Sequence, residues 1–294
     1  MLLKRSNEQG LEPVVQLAVT PLCDAFGRSG IGGRNENQDS FDGATVGDCV
    51  ILTVCDGMGG MNGGQTASSL ATNEIVGYLR SLPAEKLDGE ALREAIRRAN
   101  DAIYRCAAAT PALRGMGTTA TIAVFTPHKA FVAHVGDSRI YQLRKGRKHF
   151  RTFDHSKVFD MVSNGLMTEE QARQSNFSNI ITRALGIWPN VEPAIAELPY
   201  RKGDRFLLCS DGIWNAEPEP EMLKLFTENA GQPKAEAEQL TLYMNALGHE
   251  RGAQHDNLTV IVAEMKQDSK EQPGFLEGLK QQFAQLSLPW KKKQ

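Results

Sequence analysis

The sequence predicts an α+β fold built from antiparallel sheets with helices layered against them. Three observations carry that prediction. Strand-like apolar runs, rich in β-branched residues and bounded by Gly, Pro or Asp, come in consecutive clusters. Long amphipathic helical stretches separate the clusters. Only Gly136-Asp137-Ser138 parts two neighbouring runs, a link that suits a tight antiparallel hairpin. A doubly wound parallel sheet would instead alternate strand and helix throughout.

The strand-like runs are 49–55, 119–125, 130–135, 139–143, 205–209 and 258–263. Helical spacing of apolar residues marks 64–79, 90–108, 219–227 and 235–247. The clearest example is Ala91, Leu92, Ala95, Ile96, Ala99, Ala102 and Ile103. Between 154 and 186 the text is mixed, with two short helical candidates and the polar run Gln174-Ser175-Asn176-Phe177-Ser178-Asn179, and reads as a surface insertion. After 265 comes a polar linker, 266–274. Then Phe275, Leu276, Leu279, Phe283 and Leu286 fall on one helical face before Pro289-Trp290 and three lysines. The chain thus divides into an N-terminal extension or first-strand region (1–23), one main domain (24–265), and a linker with an amphipathic C-terminal tail (266–294). No internal repeat or low-complexity tract interrupts it.

Composition excludes several classes. Among 294 residues, 33 Lys+Arg against 35 Asp+Glu leave a net charge of −2, without the basic excess of a nucleic-acid coat. A 41% hydrophobic content suits a packed core rather than disorder. Cysteines 23, 49, 55, 106 and 209 are odd in number and form no CxxC pair, which argues against a disulfide framework or structural zinc. The apolar runs are strand-sized, too short to span a bilayer, and the N-terminus turns polar before a signal-peptide core forms. A cytoplasmic, soluble protein is the expectation.

The distinctive feature is where aspartates stand. Asp56 closes a strand and opens Asp56-Gly57-Met58-Gly59-Gly60; Asp211 follows another strand and opens Asp211-Gly212. Asp256 precedes Asn257 and a third strand, Asp137 sits in Gly136-Asp137-Ser138-Arg139, and Asp39 ends Arg34-Asn35-Glu36-Asn37-Gln38-Asp39. Taken singly, each reads as a turn or cap residue, the usual fate of Asp-Gly. Several carboxylates converging on one edge would repel one another and call for cations. Hard oxygen ligands of this kind select Mg²⁺ or Mn²⁺ over zinc. Glycine beside them lets the backbone turn sharply or approach a ligand.

Those motifs, together with Gly117-Thr118-Thr119, Ile181-Thr182-Arg183-Ala184-Leu185-Gly186, Ser210-Asp211-Gly212 and His255-Asp256-Asn257-Leu258-Thr259, stand in the order seen in the protein phosphatase 2C family. The chain resembles its bacterial branch, metal-dependent serine/threonine phosphatases, from about residue 24 to 264. The resemblance implies a four-layer αββα sandwich with two central antiparallel sheets and a metal cleft at one edge. It implies two Mn²⁺ or Mg²⁺ ions: Asp56 bridges them and orients the nucleophilic water, the Gly57 carbonyl ligates one, Asp211 and Asp256 complete one, and Asp39 supports the second. It implies Arg34 as the phosphate clamp, a bidentate guanidinium; alone, Arg34 would read as a surface residue. Asp137, with Asp211, matches a third, weaker metal position, and reads equally as a turn residue. Water activated between two ions attacks phosphorus in line with no covalent intermediate, and the sequence has no Cys-x5-Arg phosphate loop.

Three departures from the family pattern stand out. Gln38 replaces a frequent acid; Met58 stands where eukaryotic relatives carry a His, leaving the general acid unassigned; and the flap, about 156–179, lacks a His-Pro dipeptide before the Ile181–Gly186 run. Cys55 and Cys209, beside metal aspartates, read as core residues, His255 as a packing residue, and Arg139 as a brace for its turn. The implied partners are phosphoprotein substrates and an opposing Ser/Thr kinase. Two other readings stay open: a pseudophosphatase that binds without turnover, and a small-molecule phosphomonoesterase. The tail reads either as a membrane- or partner-docking helix, or as a helix packed on its own domain or left partly disordered; its short face, Gly278 and Gln-rich polar side favour the second reading.

Overall fold

The computed structural model describes residues 8–59, 63–173, 175, 177, 180–228, 230–252 and 255–270. The strands are β1 (Val15–Val19), β2 (Cys23–Gly30), β3 (Asp39–Val46), β4 (Cys49–Met58), β5 (Gly117–Thr118), β6 (Ala120–Phe125), β7 (Ala130–Val135), β8 (Arg139–Arg144), β9 (Arg147–Arg151), β10 (Ala194–Leu198), β11 (Arg205–Cys209) and β12 (Leu258–Met265). The helices are α1 (Gly63–Ser81), α2 (Gly89–Ala109), α3 (Lys157–Ser163), α4 (Glu169–Arg173), α5 (Asp211–Trp214), α6 (Glu219–Thr227) and α7 (Pro233–Glu250).

One sheet runs β1-β2-β12-β11-β8-β9 and the other β10-β7-β6-β4-β3, with β5 pairing the end of β4; every pairing is antiparallel. The sheets face each other, and helices cover both outer faces. β4 shows how the sequence demands this. Cys49, Ile51 and Cys55 pack toward α1 and α2, whereas Val50, Leu52 and Val54 pack toward the other sheet. The period-2 alternation of a strand is hidden in a continuous apolar run because both faces are buried. Leu207, Cys209, Val260 and Val262 likewise turn outward against α6 and α7. The result is the expected αββα sandwich.

The long helices follow their apolar stripes. α2 buries Ala91, Leu92, Ala95, Ile96, Ala99 and Ile103, and Asp88 caps it by accepting from the Ala91 amide at 2.9 Å. β2 and β3 carry glycines and polar residues that hide them from propensity reasoning. Each is a strand because eight residues pair with an apolar neighbour, β2 with β12 and β3 with β4.

The expected hairpin across Gly136-Asp137-Ser138 is not there. β7 pairs with β6 and β10, while β8 pairs with β11 and β9, so this link carries the chain from one sheet to the other. A short link looks the same whether its strands pair or part; here both edges of each strand are taken by other partners, which leaves β7 and β8 in different sheets. Gly136 turns the corner at φ +96°, where a Cβ would come within 2.6 Å of Thr119. The genuine hairpin follows: Lys145 and Gly146, at φ 51° and 73°, join β8 to β9.

β1 lies within the 1–23 segment. After β12, residues 266–270 run back along the domain, with amide bonds from Lys266 to Leu22, Ser269 to Tyr200 and Lys270 to Pro127. The amphipathic stretch from Phe275 onward, the first seven residues and Gly60 lie outside the described residues.

Candidate active site

Antiparallel pairing explains why the five aspartates meet. β3 begins at the edge where β4 ends, β12 begins where β11 ends, and the β7–β8 corner turns at the same edge. Asp39 opens β3 and stands in register opposite Asp56 near the end of β4. Like charges directly opposite on one sheet face are destabilising unless something neutralises them.

Asp39 is buried. Its Oδ2 accepts from the Ser210 hydroxyl at 2.7 Å, and its Oδ1, also buried, has no hydrogen-bond partner among the described residues. Burial, ahead of repulsion from Asp211 and Asp256, pushes its carboxyl up to about 7. Asp56 is raised well above the usual carboxylate range by burial and then by Asp39, Asp211, Asp137 and Asp256. Its backbone is gripped from three sides. The amide donates to Thr119 Oγ1 at 2.9 Å, and the carbonyl accepts from Thr118 Oγ1 and the Thr119 amide, each at 2.8 Å. Thr119 Oγ1 in turn contacts Ser138 Oγ at 2.7 Å, tying Asp56 to the Asp137 corner.

The opposing sheet supplies the rest. Asp211 starts α5 just past β11, and burial followed by Asp256 pushes it up to about 6. Asp137, buried at the corner, is pushed up to about 8 by burial, then by Asp211 and Asp154. Asp256 is more open and accepts from Arg34 Nη2 at 2.8 Å, with the arginine side chain 54% exposed.

Asn257 holds the loop that carries Arg34. Its Oδ1 accepts from the Gln38 amide at 2.9 Å, and its Nδ2 donates to the carbonyls of Ile31 (2.8 Å) and Glu36 (2.9 Å). Gly57 is required where it stands. A Cβ there would lie 2.0 Å from the Gly64 carbonyl oxygen and 2.6 Å from that of Gln38, to which the Gly57 amide also donates. The side chain that is missing lets β4, the 31–38 loop and α1 close on one another.

Other sequence expectations resolve here. Gln38 turns its amide to Glu36, donating at 3.1 Å. Cys55 and Cys209 are fully buried with thiols pushed up, Cys55 to about 11, chiefly by burial; neither is poised as a ligand or nucleophile. His255 packs edge-on against His249 and contacts Asn245 at 2.9 Å. Arg139 reaches away from its turn: it forks onto Asp154 at 2.8 and 2.6 Å and stacks over Trp214 at 3.5 Å. Ser210, Thr118, Thr119, Ser138 and Asn257 are the organising residues to which sequence reasoning assigned no role. The available signal was adjacency, since each acid has a hydroxyl or amide residue beside it or one strand away.

Hard divalent cations fit this edge. The donors are oxygens, an Asp39 oxygen is buried without a partner, and mutual repulsion drives the carboxyls up. Among the described residues no trio of His, Cys, Asp or Glu side chains is already drawn into a closed ligand set; Arg34 and Ser210 hold one oxygen each of Asp256 and Asp39.

A two-sheet sandwich gathers carboxylates from both sheets at one edge, with an arginine paired to one of them, a donor set whose chemistry suits hard divalent cations. The family model for Protein phosphatase 2C matches residues 26–252, and the chain belongs to that family. Serine/threonine phosphatase stp of Listeria welshimeri is 33% identical over 237 residues, 79% of this chain and 88% of the relative. The crystal structure of the serine/threonine phosphatase PstP/Ppp of Mycobacterium tuberculosis superposes with a TM-score of 0.73 at 32% identity, covering 83% of this chain and 99% of that one. A PstP catalytic domain solved in complex with two manganese ions gives a TM-score of 0.70 at 31% identity, with the same coverage.

Proposed function

We propose that the chain is a protein-serine/threonine phosphatase that uses two Mn²⁺ or Mg²⁺ ions, held by Asp39, Asp56, the Gly57 carbonyl, Asp211 and Asp256. Asp137 joins Asp211 at a third, weaker position. One observation carries the reading: Asp39 and Asp56 face each other in register, with Asp211 and Asp256 brought up from the other sheet and a buried Asp39 oxygen left without a partner. When bound, the ions supply an acidified water and neutralise phosphoryl oxygens.

The protein groups have separate tasks. Asp56, its backbone locked by Thr118 and Thr119, keeps its carboxylate fixed between the sheets. Arg34, on the open rim and paired among the described residues with half-exposed Asp256, can exchange that partner for a phosphate monoester and grip it bidentately. Buried, protonated thiols at Cys55 and Cys209 favour direct attack by water over a cysteinyl intermediate. Phosphoproteins are the substrates, an opposing Ser/Thr kinase is the functional counterpart, and the cytoplasm is the site of action. No helix among the described residues is long and apolar enough to cross a membrane. Liposome co-sedimentation of the full chain against one ending near Lys266 tests whether the C-terminal segment confers membrane binding.

Phosphothreonine, phosphoserine and phosphotyrosine peptides assayed side by side with Mn²⁺ test the function. The first two should turn over, and chelator should stop them. Chelator-resistant turnover refutes the metal reading, and no turnover of any phosphopeptide supports a pseudophosphatase. Turnover confined to small aryl or sugar phosphates supports the phosphomonoesterase. Asp56→Asn should abolish activity with its circular dichroism unchanged.

A further inference from the structure

Ser210 occupies the N-cap position of α5, yet its side chain makes no capping hydrogen bond. A serine there ordinarily accepts from an amide in the first turn of the helix, and that stabilisation is forgone. Ser210 is completely buried, and its hydroxyl is engaged elsewhere. It accepts the Thr259 amide at 3.1 Å and reaches Asp39 Oδ2 at 2.7 Å. A hydroxyl has one proton; with its oxygen accepting the Thr259 amide, that proton is donated to Asp39 Oδ2. The bond joins β11 of one sheet to β3 of the other, across 171 residues of chain.

Holding Oδ2 has a consequence for Oδ1. With Oδ2 taken by Ser210, Oδ1 is the buried oxygen left without a hydrogen-bond partner among the described residues. Thr259 Oγ1, which contacts Ser29 Oγ at 2.7 Å, also favours the charged carboxylate by hydrogen bonding. Ser210 is the donor whose bond to Oδ2, at 2.7 Å, ties the two sheets together.

We infer that Ser210 is a positioning residue, which fixes the Asp39 carboxylate so that Oδ1 is presented to a divalent cation, while the same short segment delivers Asp211. The inference rests on the proposed metal-dependent function. It assigns to Ser210 an orienting role and no contact with metal or substrate. Partners that orient a ligand in this way typically govern metal affinity by 10–100-fold.

The test is a double-mutant cycle read by Mn²⁺ binding, with calorimetry on metal-stripped full-length protein. Ser210→Ala should weaken Mn²⁺ binding by about 10–100-fold. In an Asp39→Asn background the same change should alter binding by less than about twofold, because the group it orients is gone. Unchanged affinity in Ser210→Ala, or an equal loss in both backgrounds, overturns the inference; the latter is what a merely structural tie between sheets would give. If Ser210→Ala does not fold, the isosteric pair Ser210→Thr and Ser210→Val decides. The threonine variant should bind Mn²⁺ more tightly than the valine variant, and equal affinities overturn the inference. Wild-type protein that binds no Mn²⁺ overturns the functional reading and this inference with it.

Discussion

Removing Asp154 should be among the most damaging single changes outside the metal edge. Asp154 and Arg139 form a bidentate pair at 2.6 and 2.8 Å, with side chains 4% and 8% exposed. Asp154→Ala would leave a guanidinium buried over Trp214 with Tyr141 Oη as its remaining acceptor, at 3.1 Å. Breaking one side of such a pair costs about 3–5 kcal/mol, because the stranded charge keeps its desolvation penalty. For a domain of this size that lowers Tm by roughly 10 °C. Urea unfolding followed by circular dichroism measures the loss. Replacing both partners, Arg139→Met with Asp154→Leu, should recover most of it, since apolar groups of similar volume carry no such penalty. A single variant losing less than about 1 kcal/mol, or a double variant no more stable than the single, would refute the reasoning.

Three further outcomes are expected. Arg34→Ala should raise KM for phosphopeptides more than it lowers kcat, because a clamp on the phosphate acts in ground and transition states alike; steady-state kinetics with Mn²⁺ checks this, and a pure kcat loss contradicts it. Gly57→Ala should destabilise by about 1–3 kcal/mol through overpacking against the Gly64 and Gln38 carbonyls, read as a lower urea midpoint. Metal-free protein should lose stability as pH rises from about 7.5 to 8.5. Above about 7.5 His134, His149, His155 and His255, whose values are lowered chiefly by burial, are neutral folded and unfolded alike. Asp39 (about 7) and Asp137 (about 8) still hold protons in the fold that the unfolded chain has released. That contribution, full below the ordinary carboxylate range, is lost as pH passes through the raised values. Added Mn²⁺ should flatten the slope, and a midpoint that rises with pH would contradict this.

How much was legible depended on the range of the interaction. The strands at 130–135 and 205–209 and the helix at 219–227 were visible because burial leaves a continuous apolar run in a strand covered on both faces and a 3.6-residue apolar spacing in a helix. β2 and β3 were not, since their glycines and polar residues become strands only through the neighbour they pair with. The corner at Gly136 misled for the same reason: three residues can close a hairpin or change sheets, and only the distant strands that pair with each side decide.

The sequence by itself determined the chemistry available: aspartates at strand ends, glycine beside two of them, an arginine upstream, and the motif order that marks the family. Tertiary structure alone decided which oxygens are held and which stay unpartnered. The Arg34–Asp256 and Ser210–Asp39 contacts span 222 and 171 residues. Local propensity has no access to pairings at such separations. They exist because two sheets, each buried on both faces, must stack, and their antiparallel register brings every acidic strand end to the same edge.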